Sequence, residues 1–323
     1  MSHSFENALP PPSNIAILAP VTNVICVKVI VKEETDMSEQ NICIIVDSGS
    51  DMLPDEAEKL GVKLLPLKVR FGDEEFDDGV TLSRDEFYNR LIESDELPKT
   101  SLIAPAVYEE AFRQEVKAGH KVVCLVISSG VSGCYQSALV AADDYEGDVF
   151  VIDTKQFCGP EYILTLRAVE LRKAGFTAEE IAKVIEKEKT RVKVVALFDT
   201  LEYLKLGGRI SAAAAGIGGM LSIKPVVSIK DGGVDVVGKA RGSKNGNNHL
   251  MRFVEENGGI DWDKPIMLSW SGISDDLLEK YIEDSASLYE GRNAADLPRS
   301  RVGATIGTYS GPGAIAFSFY PKN

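Results

Sequence analysis

The feature that most constrains the fold is a regular alternation of apolar strands and helices between Asn41 and about Leu201. The run Ile42–Val46 is apolar throughout, which is typical of a strand buried on both faces. A helix is predicted to begin at Pro54 and to end before Gly61, and similar units follow. The pattern predicts an α/β fold, with a mainly parallel sheet flanked by helices.

Local signals support this assignment. Ser83 is followed three residues later by Glu86, and Thr177 by Glu180, so both segments read as capping boxes that open helices. Val194–Phe198 is predicted to be the last strand of this half.

Beyond this half the pattern changes. Val226–Ile229 and Val234–Lys239 flank Asp231-Gly-Gly, which predicts a β-hairpin. Val302–Ile306 and Ala314–Phe319 are predicted to be closing strands around a glycine-rich loop. We therefore expect a second, smaller α+β domain, with the ligand between the two domains.

The predicted organisation has three parts. Residues 1–40 are an N-terminal extension, in which Pro10-Pro11-Pro12 excludes a helix. The extension is either a true peripheral arm or a non-native segment ahead of a start at Met37. Residues 41–201 form the α/β domain, and residues 202–323 the smaller domain.

Composition narrows the classes of function. The 323 residues carry 35 Lys and Arg against 49 Asp and Glu, a formal net charge of -14. This balance argues against nucleic-acid binding and allows at most transient contact with a membrane surface. The five cysteines include no C-x-x-C pair, which favours a reducing, cytoplasmic location without disulfides. Only three histidines are present, and we expect no metal site.

Two short strings resemble known catalytic motifs, and both fail a chemical test. Val46–Ser50 matches the loop of aspartic proteases, but no second D-S/T-G string supplies the partner carboxylate. It is either a polar turn or a ligand loop at the end of a strand. Gly233–Ala240 nearly spells a P-loop, but Ala240 replaces the hydroxyl that would hold magnesium.

The segment Ser128–Ser137 directly follows a predicted strand and opens a helix. Its hydroxyls and free backbone N–H groups suit a carboxylate or a phosphate, and ordinary helix capping is the alternative. It lacks the G-x-S-x-G pattern of a nucleophile elbow, and no histidine is an obvious base for Ser132.

Several such strings occur in a characteristic order. They are Val46–Asp51, Pro66–Val69, Thr100-Ser101, Ser128–Ala138, Asp199–Ser211, Ile223–Pro225, Gly238–Gly242 and Ile306–Ala314. Together they resemble the DegV family, and the block Asp199–Ser211 is the most specific of them. The resemblance extends from about Ile42 to Tyr320.

The resemblance implies a long-chain fatty acid buried in a tunnel between two domains. It is to the fatty-acid-binding subunits of bacterial fatty acid kinase, which present the acyl carboxylate to a separate ATP-using kinase subunit for acyl phosphate formation. The implied protein is a carrier rather than an enzyme. It needs no cofactor, and the fatty acid is its ligand.

The resemblance also implies roles for individual residues. Thr100 and Ser132 would hold the carboxylate, with the Gly133 N–H beside them. Arg209 and Arg241 would face the phosphate or the kinase partner.

The chain departs from the family pattern at two places. The segment after Thr100 lacks one proline and one hydroxyl that relatives commonly have. Tyr309 stands where the family commonly has a histidine near the carboxylate. A phenol can donate a hydrogen bond, but it does not replace a group that titrates near neutral pH.

Two other functions stay open on the residues alone. The Ser128–Ser137 loop could serve a stand-alone acyl hydrolase or phosphotransferase, although it lacks a paired base. The protein could also be a lipid sensor without a kinase partner. The segment Ala212–Leu221 is a candidate lining for the tunnel.

Overall fold

The computed structural model describes residues 41–210 and 223–322. The predicted N-terminal extension and the candidate tunnel segment Ala212–Leu221 lie outside the described residues. Within the described residues, no helix is long and apolar enough to span a membrane.

The described elements follow one another along the chain. The strands are β1 (Ile42–Asp47), β2 (Val62–Leu65), β3 (Lys68–Phe71), β4 (Glu74–Asp77), β5 (Lys99–Ser101), β6 (Lys121–Val126), β7 (Val149–Asp153), β8 (Lys193–Leu197), β9 (Ile223–Lys230), β10 (Gly233–Arg241), β11 (Met267–Trp270), β12 (Arg299–Arg301) and β13 (Ile315–Phe319). The α-helices are α1 (Pro54–Leu60), α2 (Arg84–Glu93), α3 (Pro105–Lys117), α4 (Cys134–Ala142), α5 (Gly159–Lys173), α6 (Ala178–Glu188), α7 (Glu202–Leu206), α8 (Gly242–Glu256), α9 (Asp276–Asp284) and α10 (Ala304–Ser310). Short 3₁₀ turns lie at Ser48–Ser50, Asp143–Tyr145, Ala286–Tyr289 and Ala294–Asp296.

A four-stranded parallel sheet in the order β2-β1-β6-β7 forms the first layer. Helices cover both of its faces, so Ile44 and Ile45 on the inner strand β1 have no exposed surface. Ile44 belongs to a hydrophobic cluster that includes side chains of α5 and α6. Ile45 belongs to another cluster, which includes side chains of α3 and α4. The α/β fold expected from the apolar strand pattern is confirmed.

A six-stranded, mainly antiparallel sheet in the order β10-β9-β8-β13-β11-β12 forms a second layer. The predicted hairpin is present, since β9 pairs with β10 around Asp231-Gly-Gly. One face packs on α8 and α9 through side chains such as Val195 and Leu197. Alternate side chains, including Val194 and Ala196, point to the opposite face.

Strand β8 was expected to close the first half of the chain, but it belongs to this second sheet, between β9 and β13. A fully buried strand has the same apolar pattern in either sheet, so its pattern does not reveal its partners. The proposed domain boundary near residue 201 stays a prediction.

A small antiparallel sheet, β4-β3-β5, completes the described strands. The segment Lys63–Arg70 was expected to be one strand, and the structure divides it between β2 and β3 in different sheets. Pro66 lies at the division. It cannot donate a backbone hydrogen bond to a sheet, so the strand is interrupted there.

The predicted strand Val302–Ile306 is wrong, because helix α10 begins at Ala304. The carboxylate of Asp78 accepts hydrogen bonds from the backbone N–H groups of Ala304 and Thr305, each at 2.9 Å. A helix start needs such acceptors, and here they come from a distant part of the chain. As a result, Tyr309 lies in the last turn of a helix rather than in a turn between strands.

Candidate functional site

A cavity of about 440 Å³ lies against the face of the six-stranded sheet that is opposite α8 and α9. Strands β8, β9 and β13 supply mainly apolar lining side chains, among them Val194, Ala196, Val227, Ile229 and Ala316. Segments after β5, β6 and β7 and helix α10 add further lining residues. The volume lies within the usual range for a small-molecule site.

Polar residues from four separate segments line the same cavity. Among them are Thr100, Ser132, Gly133, Arg209 and Tyr309. These are five of the six residues that the sequence analysis selected. Arg241, the sixth, is exposed at the end of β10 and is not among the described lining residues. Of the two arginines that the resemblance groups together, only Arg209 is thus among the described lining residues.

Thr100 and Tyr309 are in direct contact. Thr100 lies on the edge strand β5, and its Oγ1 is 2.5 Å from the Tyr309 hydroxyl. Both side chains are half-buried, so a ligand in the cavity can reach the pair. Either hydroxyl can act as the donor, which leaves one hydrogen of the pair available for a ligand oxygen.

Arg209 lies over the ring of Tyr309, with its guanidinium carbon 4.9 Å from the ring centroid. Its Nη1 donates to the Gly207 carbonyl at 2.7 Å, which holds the side chain at the cavity. A Cβ on Gly207 would touch the Tyr309 ring, so the close approach requires glycine at this position. The arrangement places a cation beside two hydroxyls, a combination suited to a carboxylate.

The loop after β6 is fixed by its own hydroxyls. Ser132 Oγ accepts a hydrogen bond from the Cys134 N–H at 3.2 Å, at the start of α4. Ser128 Oγ donates to the Gly232 carbonyl at 2.7 Å, which attaches the loop to the β9–β10 hairpin. The Ser128 hydroxyl is thus already hydrogen-bonded within the protein, whereas Ser132 lines the cavity.

The Val46–Ser50 string forms a polar turn that holds strands together. Asp47 accepts hydrogen bonds from the N–H groups of Gly49 at 2.9 Å and Ile127 at 2.8 Å. Ser48 Oγ accepts from the Leu67 N–H at 3.0 Å. Burial raises the pKa of Asp47 to about 7. The turn reading is favoured, since Asp47 and Ser48 are absent from the described cavity lining.

The described residues do not assemble a familiar catalytic set at Ser132. His120 contacts Glu115 and His249 contacts Arg252, and neither histidine is among the described lining residues. Gly233–Ala240 is part of the antiparallel strand β10, so it does not form a phosphate loop. No cluster of three or more His, Cys, Asp or Glu among the described residues could hold a metal ion.

Sequence reasoning missed several buried hydroxyls that line the cavity, and two of them are unpaired within the described residues. Thr305 lies one helical turn before Tyr309 on α10, and Ser269 lies on β11. Neither hydroxyl has a hydrogen-bond partner among the described residues. Thr305 had been assigned to a strand, and a serine inside an apolar strand gives no local signal.

Comparison with known proteins agrees with this architecture. A DegV domain-containing protein of Caldanaerobacter subterraneus subsp. tengcongensis is 31% identical over 285 residues, covering 88% of this chain and 100% of the relative. A fatty-acid-binding DegV family protein of Thermus thermophilus superposes with a TM-score of 0.76 at 29% identity, covering 87% of this chain and 100% of the other. A stearic-acid-binding protein of Eubacterium ventriosum gives a TM-score of 0.74 at 28% identity, covering 86% and 98%.

The DegV family model matches residues 41–322, which include every described residue that lines the cavity. Matches of this extent establish membership. The chain belongs to the DegV family.

Proposed function

We propose that the protein binds one long-chain fatty acid, with the acyl chain in the cavity and the carboxylate at the polar residues defined above. The contact between Thr100 and Tyr309, with Arg209 over the phenol ring, is the observation that carries the proposal. Charge-assisted hydrogen bonds from such a group are stronger than neutral ones, and the apolar lining suits an alkyl chain. The fatty-acid-binding structures of related proteins support the same ligand.

The free energy of burying an acyl chain favours its binding in the cavity. Burying one methylene contributes roughly 0.8 kcal/mol, so about 14 methylenes give on the order of 11 kcal/mol before opposing terms. Ordering the chain and desolvating the carboxylate offset part of that gain. Affinity then comes mainly from the apolar lining of the cavity, and the polar residues set the orientation of the ligand.

The proposal extends to a partner. The bound carboxylate is presented to a separate ATP-using kinase subunit, which forms the acyl phosphate, and this chain itself performs no chemistry. Arg209 is exposed as well as lining the cavity, so it can meet both the carboxylate and a docked partner. Arg241 is a second exposed cation for the partner.

Mass spectrometry of an organic extract tests ligand binding. The purified protein should yield about one long-chain fatty acid per chain, and delipidated protein should rebind oleate. Ala196→Phe, which fills the cavity from β8, should abolish rebinding of oleate. Protein that is empty as purified and does not bind oleate would overturn the proposal. Hydrolysis of acyl esters or ATP by the isolated chain would favour the stand-alone enzyme instead.

Reconstitution tests the partner. With a bacterial fatty acid kinase subunit, ATP and oleate, addition of this protein should produce acyl phosphate, which is trapped as the hydroxamate. Arg241→Gln should lower the rate of formation without changing oleate affinity. Absence of product with ligand-loaded protein would favour a lipid sensor over a kinase partner.

A further inference from the structure

We propose that the cavity contains a second polar subsite, which accepts an oxygen atom carried on the acyl chain, as in a hydroxy or oxo fatty acid. The subsite consists of Ser269 and Ser318, called here the serine pair. The proposal rests on the proposed function, because it describes a further specificity of the same cavity.

The serine pair lies on one face of the six-stranded sheet. Ser269 on β11 is opposite Ala316 on β13, and Ser318 follows Ala316 by two residues, so all three side chains point the same way. Helix α5 begins directly above them. A Cβ on Gly159 would lie 2.5 Å from Ser318 Oγ and 3.1 Å from Ser269 Oγ. Both hydroxyls therefore converge on the start of α5.

The hydroxyls of the serine pair are buried and have no hydrogen-bond partner among the described residues. Ser269 is 1% exposed and Ser318 is 0% exposed, and neither Oγ makes a hydrogen bond with any described residue. The Cys158 thiol lies beside Ser269, but sulfur is a weak hydrogen-bond partner. Buried hydroxyls are normally hydrogen-bonded, so two unpaired ones at a single point indicate a missing polar group.

The cavity gives that polar group a route to Ser269. Ser269, Ala316, Cys158 and Pro160 all line the cavity, whereas Ser318 is not among the described lining residues and approaches the same point at the start of α5. Cys158 is the N-cap of the 15-residue helix α5 and makes no side-chain capping bond, so the positive end of the helix adds attraction for an oxygen lone pair. A plain alkyl chain leaves the Ser269 hydroxyl unpaired, whereas a hydroxyl or ketone on the chain can bond with it.

Ser228 provides an internal comparison. It also lines the cavity, but its Oγ donates to the Val194 carbonyl at 2.7 Å. The unpaired state of the serine pair is therefore not a general property of serines in this cavity. Ser228→Ala removes a hydroxyl of the same kind that is already satisfied, which makes it the matched control.

The test compares stearate with a panel of stearates that carry a single hydroxyl at successive chain positions, using delipidated full-length protein. The isomer whose hydroxyl reaches the serine pair should bind about tenfold more tightly than isomers hydroxylated elsewhere. Ser269→Ala with Ser318→Ala should remove that preference, measured as the ratio of the affinity for the preferred isomer to the affinity for stearate. Each single replacement should remove part of it, and Ser228→Ala none.

Two results would overturn the subsite. One is uniform rejection of every hydroxylated isomer by the wild-type protein while stearate binds. The other is a positional preference that survives the double replacement. Failure to bind stearate at all has a different meaning, because it overturns the proposed function itself and the subsite with it.

Discussion

The hydroxyls of Thr100 and Tyr309 lie 2.5 Å apart, although 209 positions separate the two residues in the chain. A short contact between an edge strand and a helix terminus joins the small sheet to α10 at the cavity. The two hydroxyls orient each other, so a change at either residue is expected to affect the ligand through both.

Tyr309→Phe tests the phenol as a carboxylate donor. Loss of one hydrogen bond to a charged group should weaken oleate binding about tenfold, a difference of about 1.5 kcal/mol. Methyl oleate is neutral and should lose much less. Isothermal titration of both ligands gives the comparison, with Tyr203→Phe as a control outside the described lining. Equal weakening of both ligands would argue that Tyr309 only shapes the cavity.

Tyr309→His should make fatty acid binding depend on pH. An imidazole with a pKa near the usual value of about 6.5 is cationic at pH 5.5 and neutral at pH 8. Oleate should therefore bind the variant several-fold more tightly at the lower pH, relative to the same ratio for the wild-type protein. Identical pH profiles for the two proteins would place residue 309 away from the carboxylate.

Gly207→Ala should act through Tyr309. The added methyl group would contact the tyrosine ring and displace its hydroxyl from Thr100, while the backbone of residue 207 stays in a conformation open to alanine. Oleate affinity should fall to a level similar to that of Tyr309→Phe. In a Tyr309→Ala background the same replacement should have little further effect. Additive losses in that double variant would contradict the contact.

Replacement of Arg209 and replacement of Arg241 should have different effects on oleate affinity. Arg209→Met removes the cation over Tyr309 and should weaken oleate binding about tenfold, because a charged partner is lost at the cavity. Arg241→Gln removes an exposed charge and should leave oleate affinity unchanged. Fluorescent fatty acid displacement measures both. A large loss with Arg241→Gln would show that the carboxylate site extends to the end of β10.

Asp51→Asn should alter the pH dependence of stability. Burial raises the pKa of the Asp51 carboxyl to about 7, so the folded protein holds this proton more tightly than the unfolded chain. The stability that Asp51 contributes is present below about pH 4 and is lost as pH rises to about 7. Between those limits, the unfolding free energy of the variant should fall less than that of the wild type, by on the order of 4 kcal/mol.

The replacement suits the site. Asp51 has a φ of 63°, which asparagine tolerates, and its Oδ1 accepts from the Gly303 N–H at 2.8 Å, as an amide oxygen can. Urea unfolding at a series of pH values measures the effect, with the exposed residue Asp73 changed to Asn as the control. Parallel profiles for wild type and Asp51→Asn would show that the carboxyl is ionised in the folded protein.

The sequence analysis predicted the fold where local pattern decides it. The apolar run of β1 and the capping box at Thr177 each carry their own signal, and the structure contains both elements. The start of α10 was not predictable, because its cap is Asp78, 226 residues before Ala304. Strand β8 was assigned to the wrong sheet because burial on both faces does not identify neighbours.

The residues of the candidate site likewise fall into those that the sequence reveals and those that only the structure reveals. Thr100, Ser132 and Arg209 were selected because they occur in motifs whose order is characteristic of a family. Ser269 and Ser318 occur in no such motif. Only the folded structure identifies them, because it shows their approach to Gly159 and the lack of a hydrogen-bond partner among the described residues. Pairing across strands and unsatisfied hydrogen bonds are properties of the folded chain.

The position of β13 has a consequence for synthesis on the ribosome. This strand pairs with β8 on one side and with β11 on the other, and it follows every other strand of its sheet in the chain. Until residues 315–319 have left the exit tunnel, the sheet is two separate pieces with open edges, and the wall that carries Ala316 does not exist. The cavity therefore gains its β13 wall later in synthesis than the walls supplied by β8 and β9.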